Sequence, residues 1–316
     1  MMENILDIQG LKTFFINPER TVKAVDDVSF SIKKRSTFGL VGESGCGKSI
    51  TARSILRLLP RGGKVVGGSI IFEGRNLLDL SENEMRKVRG NQISMISQEP
   101  LSALNPVYSI GFQIMEAIMM HQKLNKKEAK DLAIEMLQLT GIPDPHKRVD
   151  EYPHQMSGGM MQRAMIAMAL SCNPNLLIAD EPTTALDVTV QSQILDLMAE
   201  LREKIDTSIL LITHDLGVIA EVTDVVAVMY AGKIVEIGTT HQIFKEALHP
   251  YTKGLLTSLP VRGKKELVSI GGVVPNLSDL PSYCSFFDRC GEKKDSCKNG
   301  IPSLKGGEHK VRCWRR

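Results

Sequence analysis

The stretch GLVGESGCGKSITARSILRLL, residues 39–59, decides how this chain is read. It opens at the end of an apolar run and closes on a segment with helical character. Between them Gly42-Glu-Ser-Gly-Cys-Gly47-Lys48-Ser49 fits the pattern G-x4-G-K-[ST]. A strand that turns through glycines into a helix directs backbone N–H groups at one spot, and the helix N-terminus adds positive potential there. That arrangement suits a phosphate. Lys48 can reach the outer phosphates of a nucleotide, and the Ser49 hydroxyl can bind Mg²⁺. The plain reading is a glycine-rich turn without function, which the flanking strand and helix argue against. Cys46, inside the loop, reads as a tolerated small residue rather than a redox switch.

Outward from this loop, strand and helix patterns alternate. Residues 25–41 alternate polar and apolar positions and then become continuously apolar, as an edge strand leading into a buried one would. GGKVVGGSIIFEGRNL is glycine-punctuated strand and turn. From about 110 to 140 the pattern is helical, and Gly141 is a plausible stop. PNLLIADEP (174–182) reads as a buried strand, residues 188–205 as an amphipathic helix, TSILLITHD (207–215) as a second buried strand, and residues 224–238 as a hairpin. This order implies an α/β core with a mainly parallel sheet, interrupted by a helical insert over about 99–165. The expected division is a domain over 1–260 and a glycine- and proline-rich extension over 261–316. No internal repeat is present.

A second carboxylate-bearing element completes the first. The strand LLIAD delivers Asp180 and Glu181 to its C-terminal end, where open α/β sheets bind ligands. Asp180 would hold Mg²⁺, through water, and Glu181 would polarise an attacking water. An acidic turn after a strand is the competing reading. In MSGGMMQRAMIAMAL, residues 156–170, Ser157, Gly158 and Gly159 precede another helix and form another cradle for a phosphate.

Composition narrows the class. The 316 residues are 42% hydrophobic and 24% charged, with a net charge of +3, and no apolar run approaches the ~20 residues of a membrane-spanning helix. MMENILDIQG lacks the basic and apolar regions of a signal peptide, so a cytosolic setting is expected, where disulfides rarely persist. Residues 261–316 carry 12 Lys and Arg against 6 Asp and Glu. That excess is too sparse, and too poor in interleaved aromatics, for a nucleic-acid surface. No nucleic-acid partner is expected.

MSGGM resembles the signature motif of ATP-binding cassette (ABC) proteins, in which two cassettes clamp two ATP molecules head to tail. Other stretches fit the same family. Gln98 in MISQEP resembles its Q-loop, Ala185-Leu186-Asp187 its D-loop, and His214 in LLITHDL its switch histidine. Phe14 in LKTFF stands where the family stacks an aromatic on adenine, with Phe15 as the competing choice. The resemblance covers about residues 3–260. It implies a P-loop ABC cassette with a mainly parallel core, an antiparallel β subdomain and a helical subdomain. It implies ATP contacts at Phe14, Gly42, Ser44, Gly45, Cys46, Gly47, Lys48, Ser49 and Ile50, with Ser157, Gly158, Gly159 and Asp187 serving the nucleotide of a partner cassette. It further implies Mg²⁺ at Ser49, Gln98 and Asp180, and catalytic roles for Lys48, Gln98, Glu181 and His214. One departure stands out: the family's LSGGQ ends here in Met160, so no glutamine role is carried over.

GESGCGKS, SQEPLSALNP, YPHQMSGGMMQR and HPYTKGLLTSLP (249–260) are most similar to the ATPases of oligopeptide and dipeptide importers. This implies a second, related cassette as heterodimer partner, two membrane permeases gripped through the helical insert, an extracellular substrate-binding protein, and a place on the cytoplasmic face of the membrane. Nickel or another small solute remains an open substrate. A soluble ABC ATPase for DNA repair or translation is the runner-up, against which stand the single P-loop and the lack of a long coiled coil between motifs. A redox sensor is a third reading.

Four of the 6 cysteines, Cys284, Cys290, Cys297 and Cys313, fall in the last 33 residues. In a reducing compartment such a set favours metal over disulfides. Thiolates suit zinc or an Fe–S cluster, and the spacing is not that of common zinc ribbons. Free thiols are the remaining option. The importer resemblance implies a [4Fe–4S] cluster, with a structural role ahead of a redox one. Cys46 and Cys172 read as packed small residues.

Overall fold

The computed structural model describes residues 3–98, 103–184, 186–259 and 270–315. Glu99 to Ser102, Ala185 and the expected boundary at 260–261 lie outside the described residues. The chain divides into two compact units, one built mainly from residues 79–210 and the other from 6–32, 37–78 and the chain beyond 210.

In the first unit the short strands Ile93–Ile96 and Leu176–Asp180 pair in parallel, with Ile93 opposite Leu176 and Ile96 opposite Ala179. Every residue of Leu176–Asp180 is buried, as a strand covered on both faces requires. Helices Ile110–Gln122, Lys126–Leu139 and Gly158–Leu170 pack on one another as the helical insert. Each starts on a polar cap: Ser109, Asn125 in a capping box with Glu128, and Ser157. Ala129, Ala133, Met136 and Leu137 recur at helical spacing and are buried. Gly141, at φ +70°, ends that segment as its sequence position suggested. The amphipathic helix expected at 188–205 is Val188–Ile205.

The second unit holds two sheets. One has four strands in the order Thr21–Lys33, Asn4–Ile16, Gly63–Phe72, Arg75–Asn76, with Gly63–Phe72 antiparallel to both of its neighbours. The first strand of the chain was not anticipated from sequence, although Ile5, Leu6, Ile8 and Leu11 are all buried along it. In the other sheet Thr37–Val41 runs parallel to Val225–Tyr230, which returns antiparallel as Lys233–Thr239. Ala231 and Gly232, at φ +47° and +80°, make the two-residue turn of this expected hairpin. Lys310–Val311 then adds antiparallel to Lys233–Thr239, with Glu236 opposite Val311, and Lys305–Gly306 forms the edge beyond it. The cysteine-bearing extension is thus joined by backbone hydrogen bonds to the unit that carries the phosphate loop. Among the described residues no helix is long and apolar enough to cross a membrane.

Candidate functional site

The loop from Gly42 to Lys48 leaves the wholly buried strand Thr37–Val41 and enters helix Lys48–Ile55. Its glycines are required by contact as well as by conformation. A Cβ on Gly42 would lie 2.1 Å from the Met229 carbonyl oxygen, and one on Gly47 would lie 2.2 Å from that of Ala24. Gly47 is also at φ +111°, a conformation L side chains rarely adopt. Lys48 is 4% exposed. Its Nζ donates to the carbonyls of Gly42 at 2.7 Å and Glu43 at 3.2 Å, which folds the side chain back over the loop. Ser44 and Gly45 are exposed at the tip, and Ser49 and Ile50 are half-buried beyond it. Cys46 is buried, and that burial pushes its thiol up despite the nearby Lys48.

Phe14 and Phe15 are adjacent on one strand, so their rings take opposite faces. Lys23 Nζ lies 6.0 Å from the Phe14 ring centre. Thr13 Oγ1 meets Ser54 Oγ of the loop helix at 2.8 Å, and Phe15 shares that face. Phe15 also reaches Gly63, where an added Cβ would sit 2.9 Å from its ring. His214 is exposed between the buried strand Ser208–Thr213 and helix Leu216–Val222, whose N-terminus Asp215 caps through Gly217 N at 2.7 Å.

In the other unit, Asp180 is buried at the end of its strand. Glu181 follows at φ +50°, a strained conformation for a residue with a side chain. Its Oε2 accepts from Gln98 Nε2 at 3.0 Å and from Thr184 Oγ1 at 3.0 Å. Gln98 and Glu181, 83 positions apart, are brought together by this hydrogen bond. Ser157 caps helix Gly158–Leu170 by accepting from Met160 N at 3.3 Å, and Ser157 and Gly158 are exposed. A Cβ on Gly159 would lie 3.0 Å from Val190. Asp187 is exposed and caps helix Val188–Ile205 through Val190 N at 3.0 Å, a local role beside the expected one.

The four late cysteines line one cavity together with His249, Phe286, Phe287 and Trp314. Cys297 is buried and the other three are half-buried. Burial, and then the neighbouring Cys297, Cys313 and Cys290, push Cys284 up to about 11. Burial raises Cys290 as well. Among the described residues no group of three or more His, Cys, Asp or Glu side chains is placed to hold a metal ion.

Sequence reasoning missed the groups that brace this unit. Tyr251 Oη accepts from Glu43 N at 2.9 Å, and Glu43 bonds Arg289 across 246 positions. Buried Glu236 accepts from Leu248 N, His249 N and His309 Nε2 at 2.7, 2.8 and 2.7 Å. No spacing signals pairs so distant. Only the HPYTKG stretch, singled out for its resemblance, marked Tyr251 in advance.

The ABC transporter family profile matches residues 25–184, and that of the oligopeptide/dipeptide transporter C-terminal region matches residues 235–297. The chain belongs to the ABC transporter ATP-binding proteins, and its cassette is an ATPase. It is 51% identical to the dipeptide transport ATP-binding protein DppD of Bacillus subtilis, over 99% of this chain and 95% of that protein. It is 50% identical to a probable peptide ABC transporter ATP-binding protein of Sinorhizobium fredii, over 98% and 95%. Among solved structures, the cassette MJ0796 in a dimeric post-hydrolysis state bound to ADP and Pi aligns with a TM-score of 0.67 at 24% identity, covering 74% of this chain and 98% of that one. CbiO1 of Clostridium perfringens, part of a CbiONQ transporter complex, aligns with a TM-score of 0.66 at 26% identity, over 78% and 92%.

Proposed function

We propose that this chain is the ATP-hydrolysing subunit of an importer for di- and oligopeptides. The observation that carries the substrate class is the match of residues 235–297 to the C-terminal region of oligopeptide/dipeptide transporters. The loop from Gly42 to Ser49 and Lys48 hold the phosphates. Ser49 and Gln98, with Asp180 through water, would hold Mg²⁺, which when bound would screen the phosphate charge. Glu181, oriented by Gln98 and Thr184, polarises the attacking water. Exposed His214 reaches toward the terminal phosphate. Ser157, Gly158, Gly159 and Asp187 face the nucleotide of a second, related cassette. ATP binding closes the cassette pair, and hydrolysis with product release reopens it.

The chain works at the cytoplasmic face of a membrane beneath two permeases, supplied by an extracellular substrate-binding protein. Support for the permease contact comes from the helical insert. It exposes Val107, Tyr108, Phe112, Met119 and Met120, with Tyr108 and Phe112 stacked at 4.7 Å. Such apolar exposure marks an interaction surface.

The extension fits a [4Fe–4S] cluster held by Cys284, Cys290, Cys297 and Cys313. Four thiols in one cavity repel as thiolates, and a cationic cluster relieves that repulsion. Zinc draws four sulfurs onto one ion, whereas a cubane spreads them over four irons. Such a cluster would supply a structural staple. Recovery of the chain from solubilised native membranes tests the transporter reading. Two permeases, a second cassette and a peptide-binding protein should accompany it. Soluble companions alone would refute it.

A further inference from the structure

Arg289 stands directly before Cys290, in the turn Phe287–Arg289. Its guanidinium meets Glu43, the second residue of the phosphate loop, in a two-pronged ion pair. Nη1 donates to Oε2 at 2.7 Å and Nη2 to Oε1 at 2.9 Å. The remaining donors are engaged too: Nε to Gly271 O at 3.0 Å, Nη1 to Tyr230 Oη at 3.4 Å and Nη2 to Ile270 O at 3.4 Å. The Arg289 side chain is only 5% exposed and that of Glu43 27%. The guanidinium also lies 5.7 Å from the Tyr230 ring centre and 6.0 Å from that of Phe286. Planar two-pronged pairing of this kind fixes direction as well as distance.

What Arg289 fixes matters for the loop. The Glu43 carbonyl accepts from Lys48 Nζ and, at 3.3 Å, from Cys46 N, while Glu43 N is held by Tyr251. Glu43 is therefore the backbone station on which both the loop and its lysine rest. On the far side, the same turn is set by the cysteines: Phe287 N donates to Cys284 O at 2.9 Å and Cys290 N to Phe287 O at 3.2 Å.

We propose that Arg289 is a positioning residue for the phosphate loop, the tie through which the cysteine-bearing extension sets how tightly this chain binds ATP. The tie rests on the ATP-binding reading of the loop but not on the identity of any metal. Loosening the extension releases Glu43, and the loop then loses its preset shape before the nucleotide arrives.

The test measures the Kd for ATP and for MgATP by calorimetry on the full-length protein, with thermal unfolding recorded for every variant. Arg289→Ala and Glu43→Gln should each weaken ATP roughly tenfold, the scale of one lost charge-assisted pair. The double variant should be no weaker than the worse single one, and Arg289→Lys should fall between. Lys305→Ala, exposed in the same extension, should leave the affinity unchanged. If Arg289→Ala does not fold, Glu43→Gln and Arg289→Lys decide the matter. A lowered unfolding temperature with unmoved ATP affinity, or additive losses in the double variant, would overturn the proposal. Cys290→Ser should weaken ATP in the native background and not on Glu43→Gln. Unchanged affinity in Cys290→Ser, with Arg289→Ala still weakened, would keep Arg289 as a positioning residue and overturn the link from the cysteines to the loop.

Discussion

The phosphate loop and the cysteine-bearing extension belong to the same compact unit, yet they are made differently. The loop is set by backbone: a buried strand, a helix, and glycines at Gly42 and Gly47 where a Cβ would strike a carbonyl. The extension has little regular structure, with two-residue strands and two short 3₁₀ turns. Beyond the backbone pairing of Lys310–Val311, it is held by side chains: the Tyr230, Tyr251 and Phe286 rings, the buried Glu236, and four thiols around one cavity. A backbone-built site carries its own sequence pattern. A side-chain-built site gathers residues from distant stretches and leaves no local signature. The first should survive conservative substitution nearby, and the second should fail at single atoms.

The largest effect is expected where backbone and side chain meet, at strained Glu181. Glu181→Gln should lower kcat on the order of 10²–10⁴-fold with ATP binding retained, because the amide keeps the shape and loses the base. Single-turnover hydrolysis and nucleotide binding, measured side by side, check this. Near-native turnover would move the catalytic role elsewhere.

A smaller effect separates the two aromatics. Phe15 shares the face of the strand that meets the loop helix, whereas Phe14 faces Lys23. Phe15→Ala should raise the KM for ATP severalfold, the loss of one stacking contact, and exceed the effect of Phe14→Ala. The reverse ranking would return the adenine contact to Phe14.

The smallest effect concerns the extension's wall. Burial pushes His249 down to about 3, and its Nδ1 accepts from Tyr251 N at 3.1 Å, so it is neutral in the fold. The unfolded chain takes up a proton below about 6.5. Stability present at neutral pH is therefore lost as pH falls from about 6.5 towards 3, by about 2 kcal/mol at pH 5. His249→Asn keeps an acceptor for Tyr251 and should flatten the fall of Tm between pH 7 and 5. Parallel curves for the two proteins would assign the acid sensitivity to other groups.

The legibility of each part follows the same contrast. The strand before the loop, the helix after it, the hairpin closed by Ala231-Gly232 and the strand ending in Asp180 all announce themselves through local pattern, and the structure has them. The first strand, Asn4–Ile16, is weakly announced, because the buried Ile5 and Leu6 are adjacent and Gly10, at φ +56°, interrupts the alternation. The hydrogen bond between Gln98 and Glu181 carries no sequence signal, since the two stand 83 positions apart with the helical insert between them. Glu43 occupied a variable position of the loop pattern, and Arg289 was masked by the cysteine beside it. Neither residue is informative until the fold puts their side chains 2.7 Å apart.

The account of the extension stands or falls on one measurement. Purified without oxygen, the protein should contain about four irons and four acid-labile sulfides per chain, the composition of a [4Fe–4S] cluster, with a visible absorption band. Both should disappear in Cys290→Ser. Stoichiometric zinc would contradict the cluster, and no metal at all in freshly isolated anaerobic protein would contradict a metal-stapled extension of either kind.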